Sequence, residues 1–229
     1  MRFLTLMKIP KIIFQAGKNK KFNDTKLYYN FKYPNYEYYF FTDSDIIDFF
    51  YKNPDINFPN IINQFNSLRG AHKADLFRYY FLYKNGGLYF DTDIELLADV
   101  NYILDDHEIV LCRTNPYLLM NGIIASTPQH EIIFEALKHI YEFNYKISND
   151  YLFFCKKLNL IINSKKHINT NLREIFISGK KTIIKDKINT NIAYHHYAYK
   201  DTAYQKIIDY IKDNNLSLIY SWDDVFLKN

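Results

Sequence analysis

The chain has 229 residues, 48% of them hydrophobic, enough for one large domain (1–229) with a buried core. Its net charge of +4 comes from scattered lysines with only short pairs such as Lys20-Lys21, Lys156-Lys157 and Lys180-Lys181. A nucleic-acid surface gathers basic residues in one run or on one face, so no nucleic-acid partner is expected.

Cys112 and Cys155 stand in apolar company without metal-ligand spacing and read as reduced, buried thiols of a cytoplasmic protein. No 18-residue apolar run occurs, so no transmembrane segment is expected; peripheral membrane association is left open. The opening "MRFLTLMKIPKIIF" is interrupted by Lys8, Pro10 and Lys11 and does not read as a secretory leader. The 22 tyrosines and 19 phenylalanines accompany many Lys, Asn and Ile, as A/T-rich codons would dictate, and are not by themselves a stacking signal.

In chain order, "IPKIIFQA" (9–16) is a β-branched run expected to form a buried first strand, ended by Gly17. "YEYYFFTDSDIIDFF" combines a strand over 36–41 with a helix start. There Thr42 or Asp43 is the expected cap, Asp45 suits the first turn, and Asn53-Pro54 ends the helix. A further helix is expected from Ser67 to Lys84, capped by Asn66 or Ser67 and stopped by Asn85-Gly86-Gly87. On it His72, Asp75 and Arg78 are spaced i, i+3, i+6, while Ala74, Phe77 and Phe81 form a stripe suited to packing on a sheet. Taken alone, Asp75 and Arg78 would be an exposed ion pair.

"GLYFDTD" follows as a strand. "EIVLC" (108–112) and "NGIIAS" (121–126) are two more, and "PQHEIIFEALKHIYEF" (128–143) is a helix with Pro128 near its start. Residues 144–190 read as mixed helices and turns. Strands alternating with helices predict an α/β fold with a mostly parallel central sheet flanked by helices.

The chemistry centres on "KNGGLYFDTDIEL" (84–96). Strand alternation puts Tyr89, Asp91 and Asp93 on one side, the two carboxylates roughly 7 Å apart. Such a pair suits one hard divalent cation, Mg2+ or Mn2+, whose open positions bind diphosphates. A bare D-x-D is weak, since Asp43-Ser44-Asp45 repeats it as a helix cap. The apolar strand, the glycine pair and the charged helix before it supply the context.

"HKADLFRYYFLYKNGGLYFDTDIEL" resembles the core signature of glycosyltransferase family 32, the DXD sugar transferases, and is similar to the catalytic core of clostridial glucosylating toxins. "IPKIIFQAGK" and "NYEYYFFTDSDIIDFF" resemble that family's first strand and its next strand and helix, so the match spans roughly 9–130. The resemblance implies a GT-A type, Rossmann-like nucleotide-binding fold with its donor core at about 9–130 and an acceptor side at about 131–229. It implies that Asp91 and Asp93 hold a divalent cation (Mn2+ or Mg2+) and that Asp75 and Arg78 act with them at the donor sugar and phosphates. Phe14, Gln15 and Thr92 are then expected to contribute to the nucleotide-sugar site. The implied reaction transfers a sugar, with retention, from a UDP-sugar or GDP-mannose to a glycan or protein acceptor.

"LLMNGIIASTPQHE" is similar to the family's N-x-I-x-A segment, which would place Asn121 at the active site; Asn121-Gly122 also reads as a hairpin turn. His195-His196 resembles a C-terminal histidine segment that would bring His196 to the metal. Here, however, Lys200-Asp201 stands where that family has Ser-Trp, and the single tryptophan, Trp222, comes later. Two rival functions remain. One is a non-catalytic relic that binds nucleotide-sugar or glycan. The other is a haloacid-dehalogenase-like phosphatase, which Glu95 two residues after the second Asp and the late position of the strand disfavour.

Overall fold

The computed structural model describes residues 8–216 apart from 19–21, 116–117, 146–147, 149, 166–171, 179–182, 186–189, 196–199 and 215. The first strand β1 (Ile12–Ala16) is followed by α1 (Phe22–Lys32), β2 (Glu37–Phe41), α2 (Asp43–Lys52), α3 (Ile61–Ser67), α4 (Ala71–Asn85), β3 (Gly87–Phe90) and β4 (Ile94–Leu96). Next come α5 (Val100–Leu104), β5 (Ile109–Asn115), β6 (Leu118–Ser126), α6 (Glu131–Tyr141), α7 (Phe153–Ser164), β7 (Leu172–Ser178), β8 (Ile183–Lys185), β9 (Asn191–His195) and α8 (Lys200–Asp213). One sheet runs in the order β2-β1-β3-β6-β5-β7-β8-β9-β4.

The α/β class follows from this order. β1 pairs parallel with β2 and β3, and β5 with β7, each pair joined through helices. The pairs β3-β6, β5-β6, β7-β8, β8-β9 and β4-β9 run antiparallel. Parallel pairing therefore belongs to the N-terminal crossover units and one later pair, while connections too short for a crossover, such as that between β5 and β6, turn the chain back on itself.

Alternation divides the apolar residues of each strand between two cores. Phe14, Tyr89, Leu111 and Ile124 face α2, α3, α4, α6 and α7. Ile13, Leu88, Val110 and Ile123 face α1, α5 and α8. Phe77 and Phe81 of α4 pack on the first face, with ring centroids 6.1 and 4.1 Å from that of Phe14. Ala74 turns instead into a cleft described below.

Local punctuation differs from expectation in four places. Thr42 caps α2 in a capping box with Asp45, and Asn53 ends it, as read from the sequence. The helix expected from Ser67 is broken: Ser67 closes α3, and α4 begins only after Gly70, whose φ of 53° and ψ of −128° are not helical. α4 ends at Gly86 (φ 68°) and Gly87 (φ 106°). A Cβ on Gly86 would stand 2.7 Å from the Ser126 carbonyl oxygen, and one on Gly87 2.8 Å from that of Ile12, so the stop needs both glycines for space as well as for φ. α6 is capped by His130, which accepts from the Ile132 N–H, and not by a start at Pro128. The stretch 144–190 contains β7 and β8 besides α7. Finally, β3 stops at Phe90, and residues 91–93 form a turn closed by the Ile94 N–H to the Asp91 carbonyl at 3.0 Å. No helix among the described residues is long and apolar enough to cross a membrane.

Candidate active site

Helix α4 is buried on nearly all sides, from Asp75 to Leu82 without interruption. A charged residue on such a helix must find partners within the protein. The two side chains are only 9% and 4% exposed, unlike the exposed ion pair that the helix taken alone would suggest.

The Arg78 Nη2 lies 3.3 Å from Asp75 Oδ1 and 3.2 Å from Asp91 Oδ1, joining the helix to the end of β3. Nη1 donates to the Asn121 carbonyl and Nε to the Ala74 carbonyl. The guanidinium carbon stands 4.3 Å above the Tyr89 ring centroid, and the Tyr89 hydroxyl donates to Asp91 Oδ1 at 2.7 Å. Asn121 closes the network: its Nδ2 donates to Asp75 Oδ1 at 3.4 Å, and its Oδ1 accepts from the Tyr79 hydroxyl at 2.7 Å. The guanidinium is occupied by protein groups, so its geometric task is to hold two carboxylates at one place.

Asn121-Gly122 is not a hairpin turn. It lies within β6, where pairing with β5 jumps from Leu111↔Ile124 to Cys112↔Met120. This bulge brings the Asn121 side chain and the Gly122 carbonyl beside β3, where Gly122 accepts from the Asp91 N–H at 2.9 Å.

An open cleft of about 300 Å³ lies over this network. Asp75, Arg78, Tyr89 and Asn121 contribute to its floor, and the turn Asp91-Thr92-Asp93 forms its lip. Asp91 is 34% exposed, and its Oδ2 lies where a Cβ on residue 122 would approach to 3.0 Å. Gly122 thus leaves room beside the carboxylate oxygen that neither Arg78 nor Tyr89 engages. Two carboxylates at a cleft lip fit a hard divalent cation whose other ligands come from substrate oxygens and water. Among the described residues no group of three or more His, Cys, Asp or Glu could hold a metal by itself.

Of the other expected residues, Thr92 lies on the lip. Phe14 is fully buried in the core, and it is Ala16, two residues on, that reaches the cleft. Gln15, 2% exposed, donates to the Phe90 and Asp91 carbonyls at 3.3 Å and accepts from the Tyr38 hydroxyl, so it braces the strand end that carries the carboxylates. His196 falls outside the described residues; the backbone of its neighbour His195 pairs in register with Ile94, next to Asp93. Sequence reasoning passed over Tyr89 as a site residue, and it also missed the rim supplied by α7 and the turn before it: Tyr151, Leu152 and Cys155. Cys155 is correspondingly a cleft residue and not core, whereas Cys112 is fully buried.

Burial raises the Asp75 pKa and the neighbouring Asp91 charge adds to that, while Arg78 opposes them. Burial would lower the pKa of Arg78, but Asp91, Tyr89 and Asp75 outweigh it and hold the guanidinium firmly protonated. Burial, reinforced by Asp75, pushes the Cys155 thiol up to about 11, so it is not a nucleophile at neutral pH.

Residues 21–110, which include Asp75, Arg78, Asp91 and Asp93, match the family described as "Glycosyltransferase sugar-binding region containing DXD motif". Inositol phosphoceramide mannosyltransferase 1 of Schizosaccharomyces pombe is 27% identical over 152 residues, 63% of this chain and 46% of the relative. Inositol phosphoceramide mannosyltransferase 3 of the same yeast is 26% identical over 144 residues, 60% of this chain and 39% of the relative. The chain thus spans less than half the length of these curated relatives. Among solved structures, the PaToxG glycosyltransferase superposes with a TM-score of 0.52 at 15% identity, covering 69% of this chain and 70% of that one, a likeness of fold. The family match covers residues 21–110, and the fold is of the GT-A type seen in that glycosyltransferase.

Proposed function

We propose that this chain is a metal-dependent, retaining glycosyltransferase that moves a sugar from a nucleotide-sugar to a glycan or protein acceptor. The carrying observation is the Asp75–Arg78–Asp91 chain of ion pairs at the end of β3, opening onto a cleft with Asp93 at its lip. Asp91 and Asp93 would hold Mn2+ or Mg2+, which when bound supplies positive charge against the departing diphosphate. Asp75, with Asn121 beside it, offers carboxylate oxygen to hydroxyls of the donor sugar. Arg78 keeps that carboxylate and Asp91 fixed before reaction, so little reorganisation accompanies charge development. The relatives' names favour GDP-mannose as the first donor to try, ahead of UDP-sugars. Two free thiols suit a reducing, cytoplasmic setting.

Thermal stability measured with GDP-mannose and UDP-sugars, with and without Mn2+, tests the reading: a transferase is stabilised by its nucleotide in a metal-dependent way. NMR of the product's anomeric configuration tests retention. Absence of a shift with every nucleotide overturns the proposal.

A further inference from the structure

Tyr151 is 71% exposed, and Leu152 beside it 38%, although both line a cleft whose floor is ionic. An exposed aromatic ring at a cleft mouth is costly to keep in one place unless something holds it, and here it is held twice. Its ring stacks on His72 at 6.1 Å and 23°, and His72 also stacks with Tyr145 at 5.7 Å and 23°. Phe143 and Phe154 close on His72 edge-on, at 5.4 and 5.0 Å. The backbone is fixed as well: Asp150 accepts from the Leu152 N–H at 2.9 Å, and the His72 Nε2 lies 3.5 Å from the Tyr151 carbonyl. The ring is therefore pre-organised, and a ligand that covers it loses little of its binding energy to ordering the protein.

Position and chemistry define that ligand. Asp75, 6% exposed, and Tyr151, 71% exposed, line the same cleft, so a donor sugar held at the buried carboxylate would leave the exposed ring to the acceptor. An occupant spanning this distance must present hydroxyls to carboxylates and an apolar face to an aromatic ring. A pyranose does both, since its equatorial hydroxyls form a polar edge and its axial C–H bonds form a weakly positive face that suits the negative face of a π system.

We propose that Tyr151 is a stacking platform for a pyranose ring of the acceptor, which makes the acceptor a glycan and not a hydroxyl of a protein side chain. This rests on the transfer reading above. Saturation-transfer difference NMR on the full chain tests it with methyl α-mannopyranoside, methyl β-glucopyranoside and a serine-containing peptide as probes. At least one pyranoside is expected to show saturated ring protons with the wild type. In Tyr151→Ala the apparent affinity is expected to fall by about tenfold, and Tyr151→Phe, which keeps the ring, is expected to restore it.

Equal signals in the wild type and Tyr151→Ala overturn the proposal, as do saturation of the peptide alone and absence of any pyranoside signal. A pyranoside signal that GDP-mannose with Mn2+ displaces would put the ring in the donor subsite and would also overturn it. The two readings separate on one protein preparation. Tyr151-dependent saturation without nucleotide stabilisation removes the transferase and leaves the platform, whereas nucleotide stabilisation without saturation removes the platform alone.

Discussion

The hydroxyl of Tyr89 donates to Oδ1 of Asp91, two residues further along the chain, at 2.7 Å, while the Tyr89 ring lies beneath the Arg78 guanidinium. One side chain thus orients both the carboxylate and the cation that pairs with it. Tyr89→Phe keeps the ring and the core packing, and its cost in stability is expected to be about 1 kcal/mol. The Asp91 carboxylate then loses one of the two partners that set its rotamer, and Mn2+-dependent nucleotide stabilisation is expected to weaken by about tenfold or more, as for other groups that orient a metal ligand. Calorimetric titration with Mn2+ and nucleotide checks this; unaltered affinity would show that Tyr89 only packs.

Asp91→Asn and Asp93→Asn change charge without changing volume, in a turn at the protein surface. Each is expected to remove transfer; Asp93→Asn is expected to leave the circular dichroism spectrum and melting behaviour close to those of the wild type, whereas Asp91→Asn also takes a partner from the buried Arg78 and is expected to lower the melting temperature. Excess chelator is expected to reproduce the same loss in the wild type. Undiminished turnover in both variants would refute the assignment of the cation to this pair.

Gly122 gives a steric test of the same site. A Cβ there would meet Asp91 Oδ2 and the Met120 Cε, both at 3.0 Å. The Met120 side chain is flexible enough to move aside, whereas Asp91 is fixed by Arg78 and Tyr89. Gly122→Ala is therefore expected to cost roughly 1 kcal/mol in stability. Its effect on function is expected to be far larger, with metal-dependent nucleotide stabilisation abolished; a melting scan with and without Mn2+ reads both.

His130 carries a pH dependence unrelated to the cleft. Burial pushes its pKa down to about 4, with Glu131 opposing and Lys165 assisting. In the unfolded chain the imidazole takes up a proton near its ordinary value of about 6.5, while the folded state resists until about pH 4. Stability is thus complete above the unfolded value and is lost as pH falls between the two, by about 3 kcal/mol if His130 acts alone. His130→Asn keeps an oxygen able to accept from Ile132 and does not titrate, so its denaturation midpoint is expected to fall less than that of the wild type between pH 7 and pH 4. Parallel curves for the two proteins would exclude His130 as the source.

The parts of the site that could be read from the sequence are those built over short chain distances. Asp75, Arg78, the glycine stop and Asp91 lie on a helix and the strand it feeds, so periodicity and punctuation place them on one feature. The local geometry was less legible: alternation carries β3 on through Asp93, but after the Asp91 N–H donates to Gly122 at the bulge of β6 the chain turns, closed by the Ile94 N–H on the Asp91 carbonyl. The position of Asn121 depends on a β-bulge, and a bulge leaves no periodic trace. Tyr151 meets His72 across 79 residues, a contact that no window of sequence contains. β7 and β8 were hidden because Lys- and Asn-rich surroundings mask their apolar residues, Ile175 and Ile184 among them.

Helix α4 has one further implication. Its middle packs against α6, β6 and the first strands, so the backbone that carries Asp75 and Arg78 is held on several sides. Amide hydrogens along this helix are therefore expected to exchange at the limit set by global unfolding. The floor of the cleft then behaves as a rigid anvil on which substrates are fitted.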